Sequence, residues 1–148
     1  MSCVSFRSEQ QRAALAAVRP RPSIDEVLAE HPVPPVTEGT RHRIRLLAAD
    51  EDPRIRASAA AHRHAPDDVL SRLAGDSDET VRGWVARNDT CSVEILGRLA
   101  GDPSATVRGW VGAHPAAPAE LLDRLSGDAE PLVREVVAWN RRWEQTAG

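Results

Sequence analysis

The chain repeats itself every 26 residues. Asp50, Asp76, Asp102 and Asp128 fall at that spacing, as do Arg56, Arg82, Arg108 and Arg134. Leu47, Leu73, Leu99 and Leu125 keep the same register. The two best copies read VLSRLAGDSDETVRGWVARNDTCSVE and ILGRLAGDPSATVRGWVGAHPAAPAE. A unit this short cannot bury an apolar face alone, so its copies must stack and share one interior. The expected fold is all-α: an α-solenoid of about four two-helix repeats over residues 41–140, preceded by an N-terminal helical cap.

Within each copy the apolar spacing predicts two short helices. The first runs roughly over 41–49, 67–74, 93–100 and 119–126. The second runs over about 53–61, 79–87, 105–112 and 131–139. Val81 and Val85 lie one turn apart, as do Val107 with Val111 and Val133 with Val137. Leu70 and Leu73, with their copies at 96/99 and 122/125, supply the facing stripe. Pro66, Ser92 and Pro118 mark the entry of the first helix, each with an acid two residues on. Gly75, Gly101 and Gly127 mark its exit, where a left-handed cap is expected. The following Asp is placed to cap the second helix.

Residues 1–40 read differently. SEQQRAALAAV at 8–18 has helical spacing and is broken by Arg19-Pro20-Arg21-Pro22. Ser23-Ile24-Asp25-Glu26 reads as a capping box that opens a helix ending near His31. A Pro-rich connector follows at 32–40. At the other end, residues 141–148 leave the repeat, with Arg141, Arg142 and Glu144 as a polar end face and Trp139 and Trp143 on one helical side.

Charge is uneven along the chain. Ten Arg against eight acids leave residues 1–66 at +2, and seven Arg against thirteen acids leave residues 67–140 at −6. Nonspecific nucleic-acid affinity rests on accumulated cations, so an array this acidic is a poor general phosphate binder. Cys3 and Cys91 are the two cysteines, too few for a disulfide framework or a metal set. With neither a secretory start nor an apolar run of membrane-spanning length, the expected setting is cytoplasmic.

The run Leu70, Leu73, Ala74, Asp76, Val81, Arg82, Val85, Ala86, Asn88 resembles the leucine-rich repeat variant family. The resemblance covers residues 43–140. It implies a right-handed, all-helical, HEAT-like bacterial solenoid, with Asp and Arg forming ladders between layers. A founding member of that family carries a cysteine-held iron–sulfur cluster ahead of its repeats. Only Cys3 precedes the array here, so the resemblance brings no such ligands. The period of 26 exceeds the family's usual one, which implies longer turns.

Several residues are candidates for chemistry. The four Arg are each expected to bond the Asp six residues before, or a neighbouring layer's Asp, in a structural ladder; an anion groove is the competing reading. Trp84 and Trp110 share one repeat position, where the other copies have Ser58 and Val136. They either fill the interlayer core or present a groove for a peptide, a base or a cation. Arg87, about one turn beyond Gly83, joins them as an exposed candidate. His62, Asn88, His114 and Asn140 recur at the end of the second helix. There they are expected to cap it with a positive φ or to bond a terminal carbonyl. Cys91 matches Ala65 and Ala117 and reads as a small, partly buried residue. No nucleophile–base pairing, metal set or cofactor motif stands out, so no catalytic residue, metal or cofactor is assigned.

The expected role is a non-catalytic module that holds a protein or peptide, with basic character favoured by the acidic array, and with Trp84, Trp110 and Arg87 as the contact residues. Two alternatives remain. HEAT-like alkylpurine DNA glycosylases use such layers with Trp, Asp and Arg around the lesion, so nucleic acid is one. A small-molecule binder is the other.

Overall fold

The computed structural model describes the backbone of residues 36–147 and the side chains through residue 142. The helices expected at 8–18 and after Ser23, and the placement of Trp143, lie outside the described residues. Eight helices and no strand make up the described part. They are α1 (Glu38–Leu47), α2 (Pro53–Ala60), α3 (Asp67–Leu73), α4 (Glu79–Ala86), α5 (Val93–Leu99), α6 (Ala105–Ala113), α7 (Ala119–Ser126) and α8 (Pro131–Ala147).

Helix starts follow local hydrogen-bond chemistry. The α1 helix begins three residues ahead of the expected Arg41, because Thr37 Oγ1 accepts the Thr40 N–H at 3.2 Å and Glu38 sits in the first turn. Asp52 accepts the Arg54 N–H at 2.8 Å, with Pro53 next to it. Asp78 accepts from Thr80 at 2.7 Å and Val81 at 3.4 Å. The caps are thus Asp52 and Asp78, not the ladder aspartates expected to cap. Asp50, Asp76, Asp102 and Asp128 instead accept the N–H two residues on, at 2.8–2.9 Å, and shape the turn ahead of the cap.

Helix ends depart from expectation in two ways. No described residue has a positive φ, so Gly75, Gly101 and Gly127 are not left-handed caps. The chain winds down right-handed: Gly75 N–H donates to Arg72 O and Asp76 N–H to Leu73 O, both at 3.1 Å. Ala49 holds the same place in the first copy, with its N–H on Leu46 O at 3.0 Å. The second departure is α8, which runs to Ala147 instead of stopping near Trp139. Residues 141–147 hold Arg, Glu, Gln and Ala and lack Gly and Pro, a run that favours continuation. An ion pair from Arg141 to Asp123 ties that extension to α7.

Packing is set by the two stripes. The valine pairs of α4, α6 and α8 and the leucine pairs of α3, α5 and α7 are all buried. The even helices pack in order, α2 on α4, α4 on α6 and α6 on α8, and each of α3, α5 and α7 touches the even helix before and after it. Full burial of one such side chain contributes roughly 1.5–3 kcal/mol. Helices of seven to nine residues are marginal alone, so this shared core holds them. Close approach needs small residues: a Cβ on Gly112 would lie 2.9 Å from Val137 Cγ2.

Candidate functional site

The Arg and Asp of the repeat join consecutive copies. Arg82 Nε donates to Asp102 Oδ2 at 2.6 Å and Nη2 to Oδ1 at 3.0 Å. Its Nη1 turns back to the main-chain oxygens of Asp76 at 2.8 Å and Ser77 at 3.3 Å. Arg56 holds Asp76 the same way at 2.7 and 2.9 Å, and Arg108 holds Asp128 at 2.7 and 2.9 Å. One guanidinium therefore serves both the Asp six residues back, through its carbonyl, and the Asp twenty ahead, through its carboxylate. Hydrogen bonding from Arg56 keeps the Asp76 carboxyl below the usual range, and Arg108 does the same for Asp128. The bidentate edge of each of these three Arg is filled. Arg134 keeps only its carbonyl bonds, to Asp128 at 2.6 Å and Ala129 at 2.9 Å.

A second set of rungs is buried beside the first. Asn88 Nδ2 donates to Ala60 O at 2.6 Å and His62 O at 3.1 Å. His114 Nε2 meets Asn88 O at 3.0 Å, and Asn140 Nδ2 donates to Gly112 O at 2.8 Å. The same side chains hold their own turns, where Asn88 Oδ1 accepts Thr90 N–H at 2.9 Å and His114 Nδ1 accepts Ala116 N–H at 3.0 Å. Of the two expectations for these residues, the positive-φ cap is absent and the bond to a terminal carbonyl is present, made by Asn88, His114 and Asn140 to the end of the preceding even helix. Repeat spacing gave no sign of that reach, because a carbonyl acceptor leaves no residue-type signature.

Trp84, Arg87 and Trp110 come together on the outer side of α4 and α6. The Arg87 guanidinium carbon lies 4.3 Å from the Trp84 ring centroid and 4.3 Å from that of Trp110. Trp84 is half-buried and packs against the core, whereas Trp110 is 39% exposed. Trp110 Cδ1 rests 3.8 Å from where a Gly83 Cβ would be, so this indole leans on a glycine of the helix before. The first copy has Ser58 at this position. Between α2 and α4 there is accordingly a hollow of about 500 Å³, lined by Pro53, Ala57, Ser58, Ala61, Thr80 and Trp84, with Arg54 and Asp78 as its charged members. The corresponding position of α8, Val136, is half-buried, while Leu132 and Trp139 on the same helix are exposed, at 65% and 52%.

Cys91 is buried, and burial pushes its thiol up to about 11, so it is protonated at neutral pH and is no nucleophile. Among the described residues no three His, Cys, Asp or Glu gather as a metal set. No described helix is long and apolar enough to cross a membrane. No protein-family model, no curated protein and no solved structure matches this chain.

Proposed function

We propose that residues 41–140 form a right-handed α-solenoid of about four two-helix layers, and that the chain is a non-catalytic module holding a protein or peptide on the face of its second helices. The packing order of the even helices and the rungs between copies support the architecture. The observation that carries the function is the Trp84–Arg87–Trp110 clasp beside an open hollow. Arg56, Arg82 and Arg108 are spent on carboxylates, whereas Arg87 is exposed and lies over two indole rings. Solenoids offer extended surfaces of this sort for partners. The −6 charge of residues 67–140 favours a partner with basic character during approach.

Affinity capture with wild type and a Trp84→Ala/Trp110→Ala variant tests the reading. Proteins retained by wild type should be lost from the variant, whose circular dichroism stays unchanged. Equal recovery from both would remove this face from the function.

A further inference from the structure

The clasp also says what chemistry it receives. A guanidinium is planar, and its five N–H donors lie in that plane and point outward from its edge. The Arg87 guanidinium carbon lies over two indoles from successive helices, 4.3 Å from each ring centroid. Lying over the rings leaves the edge donors available, and the Arg87 guanidinium makes no hydrogen bond or ion pair among the described residues. It also holds a long side chain in one orientation, so less freedom is lost when a ligand binds. Elsewhere in the chain the Nε–Nη2 edge of this group takes a carboxylate: Arg56, Arg82 and Arg108 each grip one through it.

The hollow adds the second half. It exists because the first copy has Ser58 where the next two have an indole. Its lining of Pro53, Ala57, Ala61 and one side of Trp84 is mostly apolar, and its volume of about 500 Å³ falls within the roughly 300–1,000 Å³ of side-chain and small-ligand pockets. Trp84 is a wall of this hollow and of the depression that holds Arg87. An apolar anchor and an anion therefore bind on either side of one indole.

Resting on the reading above, we infer that this face binds a peptide segment that seats one large apolar side chain in the Ser58 hollow and places a neighbouring carboxylate on the edge of Arg87. A phosphate backbone suits the site less well. Glu79 lines the depression beside Arg87, and the hollow carries Asp78 as well as Arg54, so a repeating polyanion meets a carboxylate at each step instead of a continuous cationic track. Basic residues elsewhere in the segment answer the −6 charge of the array.

The probe is a set of fluorescein-labelled nonapeptides on a Gly/Ser background. Each carries one Leu, Phe or Trp and, within four residues, one Glu, Gln, Lys or phosphoserine. Fluorescence polarisation should rank Glu first, with Gln about tenfold weaker, the usual size of a charge-assisted bidentate contact. Arg87→Gln should erase the Glu–Gln difference. Ser58→Trp, which rebuilds the indole found in the next two copies, should weaken all apolar-bearing peptides at least about tenfold. Equal or tighter binding of Lys or phosphoserine peptides, salt-dependent binding of duplex DNA in their place, or a Glu preference that survives Arg87→Gln would overturn the inference. If peptides bind with no charge preference, the carboxylate fails and the binding module stands. If none binds at millimolar concentration, both fall.

Discussion

Arg87 and Trp110 belong to successive copies of the repeat, and the guanidinium carbon of one lies 4.3 Å from the ring centroid of the other. The contact shields one indole face and links α4 to α6. Replacing Arg87 with Ala should uncover the facing sides of Trp84 and Trp110. In a background carrying Trp139→Phe and Trp143→Phe, emission should shift to the red and acrylamide quenching should rise. Stability should fall by about 1 kcal/mol, the scale of exposed cation–π contacts. Unchanged quenching would mean that the three side chains do not stack in solution.

Two glycines of α6 should respond to alanine with opposite signs. Gly109 has nothing within 4 Å of an added Cβ. Alanine there should stabilise by roughly 0.5–1 kcal/mol, since glycine is costly inside a helix. At Gly112 the new Cβ would lie 2.9 Å from Val137 Cγ2, and Val137 is buried and β-branched, so it has no easy rotamer to move into. Alanine there should cost roughly 1–3 kcal/mol by overpacking. Urea unfolding of the two variants settles both signs.

Acid should unfold the protein through its rungs. Asp76 and Asp128 are held below the ordinary carboxylate range by Arg56 and Arg108. Between those lowered values and about pH 3.9 the unfolded chain binds more protons than the folded one, so stability rises with pH there. The rung contribution is present above about pH 4 and is lost as pH falls through the lowered values. An Asp76→Asn/Asp128→Asn variant should be weaker at neutral pH and show a shallower fall in acid. The same steep acid limb in both proteins would count against this assignment.

Asn88 offers a test of the buried rungs. Its amide donates to two main-chain oxygens of the preceding copy. Asn88→Ala removes that donor from buried carbonyls and should cost about 2 kcal/mol. Asn88→Asp should cost more, although it is the closer isostere, because a carboxylate would face those oxygens in place of the N–H donor. Chemical denaturation that ranks Asp above Ala would contradict the amide orientation.

Much of the local structure was legible in the residues. Proline and acid at Pro66 and Asp68, and valines one turn apart at Val81 and Val85, place the helices to within a few residues. The end of α8 was not legible, because the repeat predicts a stop at Trp139 while residues 141–147 simply remain good helix formers. Left-handed glycines at 75, 101 and 127 were a misreading, since the turn closes right-handed and Ala49 manages it as well. The spacing left two partners open for each ladder Arg. Arg56, Arg82 and Arg108 use both, by different edges of one planar group, and no linear pattern encodes that division. Trp84, Trp110 and Arg87 were each marked as candidates. Their stacking depends on side-chain orientation across two helices, and the hollow at Ser58 depends on an indole that is missing, so neither is written in the repeat itself.

The account rests on each copy being locked to the next. A double-mutant cycle between Arg82→Met and Asp102→Asn, run beside one between Arg82→Met and Asp76→Asn, tests that most directly. Arg82 grips the Asp102 carboxylate but touches Asp76 only at its main-chain oxygen, and the Asp76 carboxylate belongs to Arg56. Coupling for the first pair should be about 2 kcal/mol, and for the second within about 0.5 kcal/mol of zero. Strong coupling of Arg82 to Asp76, with none to Asp102, would show that the rungs stay within single copies and would contradict the stacking register.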